Sequence, residues 1–248
     1  MLTPRRSDLR GVITGAGTGI GRASLELFRD HGVKIDAWDR NAHALADLTD
    51  QHDVRVRTVD ITDEVAVGVA AAEAVAVWGS IDFVVNCAGA FLIGPLAEVT
   101  PSAMRSVFEV NVFGTTLVTQ ALLPNLIEAQ GSIVNVASTV ALRPAASNSH
   151  YSASKAAVAH LTRCWAAELG PSGVRVNAVA PGPTATAIYE AAGMSDDQQR
   201  TLLAERAQVI PLRRVGQPVD SARWIARFAL EEDWTTGAVL PVDGGMSL

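Results

Sequence analysis

Gly11-Val12-Ile13-Thr14-Gly15-Ala16-Gly17-Thr18-Gly19-Ile20-Gly21 is the stretch on which the reading of the fold turns. A short apolar run, Gly11–Thr14, leads into a glycine-rich loop, and a helix-like segment opens at Gly19. Glycines let backbone turn tightly and approach a ligand with no Cβ in the way. The N-terminus of the helix after the loop offers free N–H groups and a positive dipole end. Strand, glycine loop and helix in that order make a cradle for a pyrophosphate. A glycine loop alone is equally at home as a structural turn, so the reading depends on the residues further along the chain.

Outward from this loop, short β-branched runs alternate with longer helical ones. The expected strands are Gly11–Thr14, Val33–Trp38, Val54–Asp60, Ile81–Asn86, Ser132–Ala137, Val174–Ala180 and Ala238–Val242. Most are nearly continuous apolar runs, as parallel strands covered on both faces require. The expected helices are Gly19–His31, Asn41–Gln51, Asp63–Trp78, Ser102–Ala129 with Pro124 inside it, Tyr151–Leu169, and two near Ser195–Gln208 and Pro218–Leu230. The alternation predicts an α/β class protein: one doubly wound, parallel, seven-stranded sheet with helices on both faces, in a single domain spanning 1–248. Ligands of such sheets lie beyond the carboxyl ends of the strands.

Composition agrees. The 248 residues are 48% hydrophobic and 19% charged, which suits a large buried core. A formal net charge of −6 argues against a nucleic-acid surface. Residues 1–10 have no apolar core of a secretion signal, and the apolar Val65–Trp78 run is short and interrupted by Glu73, so a soluble cytoplasmic protein without membrane attachment is expected. Cys87 and Cys164 are too few for a disulfide framework, and the five dispersed histidines suggest no metal site.

The second strand ends at Trp38-Asp39-Arg40, a little over the ~20 residues beyond the glycines at which a carboxylate meets the adenosine ribose. Asp39 would accept the ribose hydroxyls and repel a 2′-phosphate, favouring NAD over NADP. Arg40 is the complication, since it could pair with that phosphate. Asp39 could also cap the next helix, although that would not account for its spacing.

Tyr151 and Lys155 form the second constellation. The chain has only two tyrosines and two lysines, and one of each stands four residues apart. That spacing puts both on one helical face, with Val158, Thr162, Trp165 and Leu169 continuing the stripe. A phenol with an ordinary pKa of ~10 is a poor base at neutral pH, and a neighbouring ammonium favours its phenolate. The pair therefore reads as a general acid/base with its tuning cation. The alternative is a lysine that snorkels to solvent.

Thr14–Gly21, Asn86-Cys87-Ala88-Gly89, Asn111, Ser138, Tyr151-Ser152-Ala153-Ser154-Lys155 and Pro181-Gly182 together resemble the short-chain dehydrogenase/reductase family, in order and approximate spacing, from about Gly11 to Gly245. The resemblance implies a Rossmann-type domain and a catalytic set of Ser138, Tyr151, Lys155 and Asn111. Ser138 would hold the substrate oxygen, with Thr139 the neighbouring alternative. Tyr151 would exchange its proton, and Lys155 would hold the nicotinamide ribose. Asn111 would anchor a water chain, or else merely kink its helix. Gly15, Gly17, Thr18, Gly19, Ile20 and Gly21 would hold the pyrophosphate, and Asp39 and Arg40 the adenosine ribose. Asp60 and Ile61 would contact adenine, with Asn86, Ala88 and Gly89 beside the ribose. Pro181, Gly182, Thr184 and Thr186 would fix the nicotinamide. Cys87 departs from the commoner Asn of its motif and reads as structural.

The family varies its substrate lid after Pro181-Gly182, here about 183–210, with Ile188, Tyr189, Ala191, Ala192 and Met194. Val140–His150 would form the other wall, where Arg143 is the one obvious anion partner, though a solvated surface Arg is the better reading. A small, mainly apolar alcohol or carbonyl substrate is expected, with NAD making alcohol oxidation the favoured direction. Family resemblance, the amphipathic helix after Ser102 and an edge strand at Ala238–Val242 suggest a homotetramer, with a dimer as the alternative. The rival readings are a 3-oxoacyl-thioester reductase using NADP(H) and a non-catalytic dinucleotide-binding protein.

Overall fold

The computed structural model describes residues 8–49 and 52–248. The N-terminal segment read as lacking a secretion signal falls largely on residues 1–7, and the end of the expected 41–51 helix on 50–51. These lie outside the described residues.

Seven strands form one parallel sheet in the order β3-β2-β1-β4-β5-β6-β7. They are β1 (Arg10–Thr14), β2 (Lys34–Asp39), β3 (Val54–Thr58), β4 (Phe83–Asn86), β5 (Ser132–Val136), β6 (Arg175–Pro181) and β7 (Val239–Val242). The chain builds outward from β1 to β3, then returns to place β4 on the other side of β1. The sheet therefore reverses winding between β1 and β4, whose last residues, Thr14 and Asn86, are partners. A crevice opens beyond that point, as in other doubly wound sheets.

Helices cover both faces. On one lie α1 (Gly19–Arg29) and α8 (Pro218–Ala226), packed around Leu25, Phe28, Ile35 and Phe83. On the other lie α2 (Glu64–Trp78), α4 (Thr115–Glu128) and α5 (Ser149–Leu169), packed on Val12, Val84 and Ile133 of the sheet. The remaining helices are α3 (Pro101–Phe108), α6 (Ile188–Ala191) and α7 (Asp196–Val209).

Three differences from the expected elements have physical causes. The 41–51 helix is a 3₁₀ segment, Ala42–Leu48, capped by the Asn41 side chain on His43 N–H. The long helix expected after Ser102 is α3, a π-helical turn at Glu109–Gly114, and α4. A second π-helical turn, Arg227–Glu231, comes after α8. Apolar spacing hides such turns because one extra residue shifts the face without breaking the run. The continuous stretch Pro101–Glu128 is long and apolar enough to cross a membrane, and in this fold it packs against α2 and α5.

One strand also carries a charge that apolar patterning does not flag. Asp36 in β2 is wholly buried. It accepts from Arg57 Nε at 2.6 Å, Trp38 Nε1 at 2.7 Å and Trp78 Nε1 at 3.2 Å. Arg57 in turn pairs with Glu73. A buried carboxylate persists only with such donors.

Candidate active site

The glycine loop has the shape that a pyrophosphate needs. Gly15 adopts φ +64°, and a Cβ there would lie 2.8 Å from Ala88 Cα. A Cβ at Gly21 would lie 2.1 Å from the Gly15 carbonyl oxygen, so α1 can pass this close to the loop only as glycine. Thr18 begins α1 with no side-chain cap bond, leaving first-turn N–H groups directed at the crevice. Thr14 ties the two sides of the winding reversal together: its hydroxyl oxygen accepts the Cys87 and Ala88 N–H groups, both at 3.1 Å. Nothing in the linear sequence marks Thr14 for that role.

Asp39 closes the far side of the cradle. Its Oδ2 accepts Gly17 N–H at 3.0 Å and its Oδ1 accepts Asn41 N–H at 2.9 Å. The carboxylate is only partly buried and lines the cavity, so it has lone pairs left for ribose hydroxyls. Asp60 is held below its usual carboxylate range, first by the Thr62 backbone and side-chain hydrogen bonds and then by nearby Arg40. Arg40 lines the same end of the cavity.

The chemistry gathers at the ends of β5 and β6. Tyr151 and Lys155 share the buried face of α5 with Val158, Thr162 and Leu169, while Trp165 is only partly buried and Ala166 takes the inward place. Ser138 lies just beyond β5, where its hydroxyl donates to the Pro181 carbonyl at 3.5 Å and stands close enough to the Tyr151 phenol to favour its ionised form. Lys155 Nζ donates to the Val136 carbonyl at 2.8 Å. Burial pushes the phenol up to about 12, with nearby Ser138 opposing and Tyr189 adding to the rise. Burial pulls the Lys155 ammonium down to about 8. The expected lowering of the phenol by its lysine is thus corrected: here loss of water is the dominant influence on both groups. Cys87 is driven up to about 12, also by burial, which leaves it protonated and inert.

Asn111 lies in the first π-helical turn and is fully buried. Its amide accepts Ala90 N–H at 2.8 Å and donates to Ala90 O at 3.0 Å and Ser154 Oγ at 2.9 Å. It clamps the loop after β4 to α5. A Cβ on Gly89 would meet both Asn111 Oδ1 and Lys155 Nζ at 3.3 Å, so that glycine lets the two polar groups converge.

These residues border one cavity of about 660 Å³. Of the expected site residues, Gly15, Thr18, Gly19, Ile20, Gly21, Asp39, Arg40, Asp60, Ile61, Ala88, Gly89, Ser138, Tyr151, Lys155, Pro181, Gly182, Thr184 and Thr186 line it. Gly17 acts through Asp39, and Asn111 lies behind the wall. Asn86 is a correction. Its amide turns away from the adenosine end and donates to Thr119 Oγ1 at 3.0 Å and Asn135 Oδ1 at 2.9 Å. Strand alternation carries the signal, because Asn86 shares the α4 face with Val84. Arg143 also stays outside the cavity lining, donating to the Met246 carbonyl at 2.7 Å.

Several lining residues lie outside those that the sequence singles out. Phe91 sets its ring edge-to-face between two phenols, 4.9 Å from Tyr151 and 5.4 Å from Tyr189 between centroids. Ile93, Leu202, Arg206 and Met246 complete that half of the cavity.

A family model described as enoyl-(acyl carrier protein) reductase matches residues 15–247. The cis-4-hydroxycyclohexanecarboxylate dehydrogenase of Sinomonas cyclohexanicum is 38% identical over 243 residues, covering 94% of each chain. The chain belongs to the short-chain dehydrogenase/reductase family. Within that family it is also similar to a 3-oxoacyl-(acyl-carrier-protein) reductase of Thermotoga maritima, 35% identical over 95% of this chain and 96% of the relative. A crystal structure of the Brucella melitensis 3-ketoacyl-(acyl-carrier-protein) reductase complexed with NADH superposes with a TM-score of 0.88 at 29% identity, covering 97% of this chain and 98% of the other. The protein is therefore an oxidoreductase of the short-chain dehydrogenase/reductase family, with its Rossmann nucleotide-binding fold.

Proposed function

We propose that this protein is an NAD(H)-dependent dehydrogenase that interconverts a secondary alcohol and a ketone, using Ser138, Tyr151, Lys155 and Asn111. The observation that carries the reading is that the Ser138 hydroxyl and the buried Tyr151 phenol line the same cavity as the glycine cradle, with the Lys155 ammonium one helical turn along α5. A bound nicotinamide supplies or accepts the hydride. Ser138 holds the substrate oxygen, and Tyr151 gives a proton to that oxygen or takes one from it. Lys155 would hold the nicotinamide ribose hydroxyls, and Asn111 keeps the Ala90 loop and α5 in register around the ammonium. Pro181, Gly182, Thr184 and Thr186 set which nicotinamide face meets the substrate.

NAD is favoured because Asp39, fixed by Gly17 and Asn41, puts negative charge where a 2′-phosphate would sit. The Sinomonas relative, a dehydrogenase of an alicyclic alcohol, supports the same direction of reaction. Residues 183–210 form the substrate lid of a single domain. A cytoplasmic homotetramer fits the exposed Phe113 and Ile127 on the π-helical turn and α4, and the half-buried edge strand β7.

The second reading, an NADP(H)-dependent 3-oxoacyl-thioester reductase, draws on the family description, the Thermotoga relative and the cavity-lining Arg40. Against it stand Asp39 and the net charge of −6, which would repel an acidic carrier protein. Secondary alcohols and 3-oxoacyl thioesters screened with both nucleotides, with Tyr151→Phe as blank, separate the two. Turnover of thioesters with NADP(H) alone sinks the first reading.

A further inference from the structure

The lid half of the cavity contains a cation that the proposed reaction leaves unused. Arg206 on α7 lines the cavity together with Leu202, one helical turn earlier on the same face. Its side chain is half-buried and has no hydrogen bond or ion pair among the described residues. A guanidinium in such a place ordinarily meets a carboxylate. Glu190 on the lid also lines the cavity, but it is exposed and forms no ion pair with Arg206 among the described residues. The other charged residues lining the cavity are Asp39, Arg40 and Asp60 at the glycine-cradle end and Lys155 beneath Tyr151.

The surroundings of Arg206 fit an anion. Tyr189 is buried beside it, close enough for the guanidinium to pull the phenol's pKa downward against burial. Tyr189 and Thr184 both line this part of the cavity, and the Tyr189 hydroxyl can donate a hydrogen bond into it. Phe91 stands between Tyr189 and Tyr151, so a phenol, an apolar ring, a second phenol and a cation succeed one another along the wall. Ile93, Leu202 and Met246 add apolar surface to that wall, which Glu190 borders from the exposed side of the lid.

We propose that Arg206, with Tyr189, receives the carboxylate of a hydroxy acid whose carbinol carbon lies at Ser138 and Tyr151 and whose apolar body packs on Phe91 and Leu202. This rests on the dehydrogenase reading and names its substrate class. A planar guanidinium grips a carboxylate through two parallel hydrogen bonds, so it fixes orientation as well as charge.

The test uses the full chain in wild-type, Arg206→Met, Arg206→Lys and Tyr151→Phe forms. Initial rates are compared for 3-hydroxycyclohexanecarboxylate and its methyl ester. Binding of cyclohexanecarboxylate and its methyl ester to the NADH-loaded protein is monitored by nucleotide fluorescence. The acid is expected to exceed its ester by about tenfold or more in kcat/KM and in affinity, equivalent to ~1.4 kcal/mol. Arg206→Met collapses both ratios towards one, mainly through KM for the acid, and Arg206→Lys keeps an intermediate ratio. An unchanged NADH affinity in Arg206→Met shows that the fold is intact. Equal binding and turnover of acid and ester in wild type, or ratios that Arg206→Met leaves unmoved, overturn the assignment. A binding preference for the acid without turnover keeps Arg206 and sinks the dehydrogenase reading. Turnover with no preference for the acid does the reverse.

Discussion

Asp39 Oδ2 accepts the Gly17 backbone N–H at 3.0 Å, so the end of β2 is held to the glycine loop that it serves. Nucleotide choice and loop geometry are coupled through this one carboxylate. Replacing Asp39 with Ser removes the negative charge and shortens the side chain. The ratio of NADP to NAD affinity is expected to rise by about tenfold or more, or ~1.4 kcal/mol. Parallel titration of both nucleotides checks it, and an unmoved ratio would show that Asp39 does not select.

Tyr151→Phe removes the phenol hydroxyl that lines the cavity beside Ser138. Turnover is expected to fall about a hundred- to ten-thousand-fold, the range for loss of a general acid/base, with NADH affinity retained. Ser138→Ala should lower kcat less. Full activity in Tyr151→Phe would falsify the catalytic assignment.

Lys155 gives a pH signature to stability. Its folded pKa is about 8 against an ordinary 10.5, so between these values the unfolded chain binds the extra proton. Its contribution is fully present above 10.5 and is lost as pH falls through about 8. Urea unfolding of wild type and Lys155→Met is therefore compared between pH 8 and 10, below the range in which Tyr151 counteracts it. The wild type should gain on the variant by on the order of 1 kcal/mol per pH unit. A difference that stays flat or shrinks across that window contradicts the burial of this ammonium.

Asp36 predicts a cost far from the cavity. Asp36→Ala leaves Arg57 and the two indole N–H groups without their acceptor. A loss of about 3–5 kcal/mol is expected, as for other broken buried pairs. Denaturant midpoints at constant slope measure it. A loss under about 1 kcal/mol would mean that water replaces the carboxylate.

Much of this molecule could be read from the residues. The seven strands, the glycine cradle after β1 and the buried Tyr151–Lys155 face depend on local patterns (continuous apolar runs, a clustered glycine loop and a spacing of four), which survive in a linear string. Phe91 and Met246 could not be read, since each sits in a loop with no period, and only tertiary folding brings them to Tyr151 or the lid. Arg206 was half legible, because its spacing from Leu202 marks a shared face but nothing local says that the face meets a cavity. The balance between desolvation and the lysine charge was invisible for a similar reason: it depends on how deeply the tyrosine is buried.

The π-helical turn around Asn111 amounts to one surplus residue wedged into an otherwise ordinary helix. Each α-helical residue advances the azimuth by about 100°. Removing a single codon from the 109–114 segment would let α3 and α4 fuse into a regular rod, and it would also swing one of them by that angle relative to the sheet. Either Asn111 would leave Ala90 and Ser154, or Leu122 and Leu126 of α4 would leave the core they share with Val84 and Ile133 of the sheet. A frame-preserving deletion here, unlike one in a surface loop, is thus expected to be far less tolerated than a point substitution at the same address.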